Sequence, residues 1–95
     1  ATGVEESPAV APTALSVHPQ PARTGSGAQC RFHVPSGHQG RLLLRDLLGR
    51  VRWHRPVSGP EGWAHIPLHG LASGVYILEL ESAGRTAVIP LLVAR

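Results

Sequence analysis

Glycine and proline interrupt this chain at short intervals. They supply 11 and 9 of its 95 residues, and no stretch between them carries a 3.6-residue apolar stripe long enough for a helix. Such punctuation suits many short strands joined by turns. The most regular run between two breaks is Leu71-Ala72-Ser73-Gly74-Val75-Tyr76-Ile77-Leu78-Glu79-Leu80. Here Tyr76, Leu78 and Leu80 fall on one face of a strand, and Val75, Ile77 and Glu79 on the other. The first face is expected to be core. Gly74 is expected at a positive φ or at a close backbone approach.

Taken in order, residues 1–13 show no period of 2 or 3.6. They contain small residues, two Pro and two Glu, and read as a linker to something N-terminal. Ala14 to Val17 form a first strand, stopped at His18-Pro19-Gln20-Pro21-Ala22 because two prolines remove ladder donors. Ala28 to Val34 alternate, with Cys30, Phe32 and Val34 inward. Gly40 to Leu47 place Leu42 and Leu44 in the core. Asp46-Leu47-Leu48-Gly49-Arg50 is a hairpin turn with Gly49 at φ > 0. Val51 to Arg55 return with Val51 and Trp53 facing in. Trp63 to Leu68 contribute Ile66 and Leu68 to the core. Ser82-Ala83-Gly84 is a second hairpin, and Arg85 to Ala94 form a last strand, broken or bulged at Pro90. Seven strands of this kind predict an all-β fold, a small immunoglobulin-like antiparallel β-sandwich. One domain over 14–95, with the linker at 1–13, accounts for the whole length.

All nine basic residues are Arg, and the net charge is +3 with His neutral. Arg41, Arg45, Arg50, Arg52 and Arg55 cluster. They read as a solvated strand face that discourages edge pairing, with attraction of phosphate or an anionic glycolipid as the alternative. The single Cys30 excludes an intrachain disulfide and reads as a small buried hydrophobe. No apolar run is long enough for a helical membrane span.

Catalytic chemistry finds little purchase. There is no phosphate-binding loop and no nucleophile elbow. Glu79 and Glu81 share a face without an obvious positive partner. Six His lack the spacing of a metal site; His54 and His65 meet only if their strands pair. No cofactor, metal or catalytic residue is expected. Trp53, Trp63 and Tyr76 offer a candidate sugar platform, weighed against ordinary packing of the two Trp in and beside the core.

Four motifs in order give the chain a resemblance. Pro19-Gln20-Pro21-Ala22, the Asp46-x-x-Gly49-Arg50 turn, the Leu71-x-x-Gly74-Val75-Tyr76 strand and the closing Leu91-Leu92-Val93-Ala94-Arg95 are spaced over some 80 residues. Together they resemble the C-terminal sorting domain of the type IX secretion system (the Por secretion system type A sorting domain). Gln20 stands where that family usually has Asn, and Arg95 where it more often has Lys. The resemblance implies a non-catalytic address label that passes through the periplasm to the cell surface or medium. Its partners would be an outer-membrane translocon, a sortase cutting in the linker, and an N-terminal cargo in the same chain. It implies recognition through Pro19, Pro21, Ala22, Asp46, Gly49, Arg50, Gly74, Tyr76, Leu91, Leu92, Val93 and Arg95. The competing expectations are a carbohydrate-binding sandwich appended to an extracellular enzyme, and a plain spacer akin to the flagellar hook-cap type, which shares the Gly-x-Tyr strand.

Overall fold

The computed structural model describes residues 14–35 and 37–95. The proposed linker, residues 1–13, lies outside them. Seven strands follow one another: β1 (Ala14–Arg23), β2 (Gly27–His33), β3 (Gln39–Arg45), β4 (Val51–Ser58), β5 (Glu61–Ile66), β6 (Gly74–Ser82) and β7 (Arg85–Ala94). The all-β expectation holds, and the described residues contain no helix.

The strands are hydrogen-bonded in the order β4-β3-β6-β7-β1-β2-β5. β1 is the seam. Its first half, Ala14 to His18, pairs antiparallel with β2. Its last residues, Ala22 and Arg23, pair parallel with Val93 and Ala94 of β7. The ladder therefore folds into a four-stranded layer (β4-β3-β6-β7) and a three-stranded layer (β1-β2-β5), almost closed on one side. This is a small β-sandwich-like arrangement built from one nearly closed seven-stranded sheet.

Alternation sets which side chains meet between the layers. Tyr76, Leu78 and Leu80 of β6 are buried, as their spacing predicts, with Leu42 and Leu44 of β3 and Leu91 and Val93 of β7. Across from them lie Val17, Cys30, Phe32, Ala64 and Ile66, with Leu68 and Val34 closing the ends. Each fully buried Leu or Ile contributes about 1.5–3 kcal/mol through water exclusion. Leu43 is buried too, but on the opposite parity from Leu42 and Leu44, outside this core.

Three expectations need correction. β1 does not stop at Val17. Pro19 and Pro21 have no N–H to give β2, so that ladder lapses after His18 and resumes at Arg23 while the backbone stays extended. Val51 does not face in: it is 44% exposed, because the β3–β4 register shifts between Leu44 and Arg45. No bulge interrupts β7. Its register against β6 runs unbroken from Gly74↔Val93 through Ile77↔Pro90 to Ser82↔Arg85. Pro90 is accommodated because its missing N–H would have pointed away from β6, as the outward direction of the Pro90 carbonyl toward Gln20 indicates.

Candidate functional site

The four motifs lie far apart in sequence, and the fold gathers them at one end of the sandwich. The start of β6 pairs with the end of β7 at Gly74↔Val93, and the same Val93 pairs with Ala22 of β1. The Asp46–Arg50 turn follows Arg45, whose partner on β6 is Ile77.

Each motif has a local physical basis. In the first, Gln20 stands between two prolines, where the β1 backbone lacks donors. Its side-chain amide bonds the strand on the other side of β1, β7. Nε2 donates to the Pro90 carbonyl at 2.9 Å, and Oε1 accepts the Leu92 N–H at 3.0 Å. One side chain thus mimics a peptide unit and splints β1 to β7. Below it Ala22 is fully buried. Pro19 and Pro21 are exposed.

In the second motif, the Asp46 carboxylate organises the turn. Oδ1 accepts the N–H groups of Leu48 and Arg50, and Oδ2 accepts Arg50 Nε at 2.9 Å. The Asp46 carbonyl accepts the Gly49 N–H, and Gly49 has φ 86°, as its turn position requires. Burial tends to raise the Asp46 pKa. The Arg50 N–H and guanidinium, the Leu48 N–H and the Arg50 charge outweigh it and hold the carboxyl below the usual range.

In the third, Gly74 has φ 151°, with nothing near the place a Cβ would occupy, so conformation and not crowding selects glycine. Two residues on, the Tyr76 ring enters the core and its hydroxyl donates to the Ala72 carbonyl at 2.7 Å. This is a tyrosine corner, which ties the β5–β6 crossover to the strand it feeds. In the fourth, Leu91 and Val93 are core residues and Leu92 is 45% exposed. The carbonyl of Ala94 accepts the Thr24 N–H, and that of Arg95 accepts Arg23 Nη1 at 3.1 Å.

A pocket of about 400 Å3 opens between the second and third motifs, lined by Asp46, Leu47, Arg50, Arg52, Val75 and Tyr76 among others. Of the twelve positions expected to carry recognition, Asp46, Arg50, Gly74 and Tyr76 line this pocket. Leu91, Val93 and Ala22 are buried structural residues instead. Sequence reasoning missed Gln20 as a splint, Ala72 as the tyrosine acceptor, and the open leucines Leu47 and Leu48. A polar side chain flanked by two prolines was the available signal for the first.

Elsewhere, several charged side chains are paired. Glu79 and Glu81, expected to lack cations, are paired across the β3–β6 ladder with Arg45 and Arg41, each at 3.2 Å. His54 and His65 do not meet by strand pairing, since β4 and β5 stand at opposite ends of the strand order. Among the described residues no three His, Cys, Asp or Glu side chains gather to hold a metal. Cys30 is fully buried, and burial pushes its thiol from an ordinary 9.0 up to about 12. Of the three aromatics named for a sugar platform, Tyr76 is in the core and Trp53 packs against it. Trp63 is 60% exposed, with the Arg31 guanidinium 5.7 Å from its ring centre.

No family model matches the chain, and no curated protein matches it.

Proposed function

We propose that residues 14–95 form a non-catalytic sorting and surface-attachment domain of a larger exported protein, handled by a type IX outer-membrane translocon. The observation that supports this reading is the convergence at one end of the sandwich. Three motifs meet there at the Gly74↔Val93↔Ala22 pairing, and the Asp46–Arg50 turn lies beside the start of β6 across the shared pocket. A recognition surface made of distant segments exists only when the domain is folded, which suits a label that is read after folding. In this reading the chain moves through the periplasm to the cell surface or medium, and a sortase cuts within residues 1–13.

A second reading has its own support. The Asp46 carboxylate and the Tyr76 hydroxyl are both satisfied within the domain. Motifs that serve turns and corners also suit an immunoglobulin-like spacer with no address function.

Delivery of a fluorescent cargo fused ahead of residues 1–95, in a bacterium with a working type IX system, separates the two. Ending the fusion at Pro90 is unsuitable, because it removes the core residues Leu91 and Val93. Leu92→Ser at the gathered end and Trp63→Ser on β5 alter exposed side chains. The sorting reading expects the native fusion and Trp63→Ser at the surface or in the medium, with Leu92→Ser reduced severalfold. Periplasmic retention of a folded native fusion would overturn it and leave the spacer.

A further inference from the structure

Among the described residues, seven large apolar side chains stand open to solvent, and five of them belong to segments that meet at the gathered end: Leu47, Leu48, Val51, Val75 and Leu92. Leu47 and Leu48, at the tip of the β3–β4 turn, are 69% and 79% exposed. Neither is needed by the turn, whose hydrogen bonds come from Asp46 and backbone groups. Two adjacent leucines at a loop tip lose free energy to water there unless something covers them.

The pocket beside them is charged. Arg50 Nε lies 2.9 Å and Arg52 Nη1 3.8 Å from the same Asp46 Oδ2. Two guanidinium groups sharing one carboxylate leave an excess of one positive charge. Arg50 keeps most of its surface in solvent, so its remaining N–H donors are open to a second acceptor.

We propose that this pocket binds an extended peptide segment carrying an acidic side chain next to a large apolar one. The ligand carboxylate would take the open donors of Arg50 and Arg52, and its apolar neighbour would cover Leu47, Leu48 and Val75. Charge complementarity selects this occupant. A polyanion such as nucleic acid needs a row of unengaged cations, whereas Arg41 and Arg45 of the adjoining β3 are tied to Glu81 and Glu79. One surplus cation inside an apolar rim matches one carboxylate inside an apolar sequence. Such a segment would be the partner-side element of the sorting reading above, on which this assignment rests for its biological setting.

The test needs no secretion machinery. A fluorescein-labelled heptapeptide of alternating Leu and Glu would be titrated into residues 1–95 and followed by fluorescence anisotropy, beside the same peptide with Lys for Glu or Ser for Leu. Saturable binding of the Leu/Glu peptide is expected, weaker by about tenfold with Arg52→Gln and with Leu48→Ser. Both variants keep the fold, since Leu48 is mostly exposed and Arg52 makes only the long contact to Asp46. Amide shifts in NMR spectra are expected at residues 47–52 and 70–75. Absence of binding, equal binding of the Lys peptide, or shifts centred on Arg31 and Trp63 would overturn the proposal. A domain that is delivered in cells yet does not bind would overturn this proposal alone, and one that binds yet is not delivered would overturn the sorting reading alone.

Discussion

Two residues carry hydrogen bonds whose loss is measurable one atom at a time. Tyr76→Phe removes only the hydroxyl that reaches the Ala72 carbonyl. Ala72 is exposed, so water can satisfy the released acceptor. The expected cost is therefore about 1 kcal/mol, read as a lower urea midpoint with unchanged m-value. Leu78→Ala, which empties a fully buried position two residues along, should cost about 2–5 kcal/mol. A larger loss for Tyr76→Phe than for Leu78→Ala would show that the corner is not acting as a local tie. Asp46 adds a pH dependence whose sign is fixed by its lowered pKa. Such a group stabilises the fold above its unfolded pKa of about 3.9 and loses that contribution as pH falls through the folded value. Asp46→Asn should accordingly flatten the loss of stability below pH 4 in urea titrations run from pH 5 to pH 2. Parallel loss in both proteins would assign the acid sensitivity to other carboxylates.

At the scale of the element, β1 shows how a strand continues where its backbone cannot pair. Pro19 and Pro21 end the β2 ladder, and the Gln20 amide supplies a donor and an acceptor to Pro90 and Leu92. Gln20→Ala should lower stability by about 1 kcal/mol, because both bonds are exposed. Its clearer mark should be faster hydrogen exchange at the Leu92 amide while Leu80 and Leu78 stay protected. Unchanged exchange at Leu92 would mean that the splint does not hold the seam. The elements themselves were largely legible in the sequence. Period-2 alternation placed Cys30, Leu42, Leu44, Ile66, Leu78 and Leu80 in the core, because one buried face leaves no other register open. The hairpin at Ala83 and Gly84, both at positive φ, was legible from its turn residues. Val51 and the length of β1 were not. A register shift after Leu44 and a side chain standing in for backbone are both tertiary events, invisible to local pattern. The candidate site was legible as four motifs but not as one place, since it takes the pairing of Val93 with both Gly74 and Ala22, and of Arg45 with Ile77, to bring them together.

For the whole molecule, the question is whether the two layers are one folding unit. β1 belongs to both, pairing with β2 through its first half and with β7 through its last residues. The core is also shared. Cys30, Ala64 and Ile66 from the three-stranded layer form a single buried cluster with Leu42, Leu44, Leu78 and Leu80 from the other. Neither layer keeps an apolar interior once its partner leaves, so neither has a basis for stability alone. Urea unfolding should then be two-state. The two tryptophans report on different layers, Trp53 from β4 against the core and Trp63 from β5 in the open. With Trp63→Phe, the fluorescence of Trp53 follows the four-stranded layer. With Trp53→Phe, Trp63 follows the three-stranded layer. Each variant should unfold with its fluorescence midpoint coincident with its far-ultraviolet circular dichroism midpoint, although the packed Trp53→Phe variant should unfold at lower urea. Separated midpoints within either variant would mean that the seam yields before the core does. The gathered end, built on that seam at Ala22 and Val93, would then come apart while β2, β5 and the rest of the four-stranded layer remained folded.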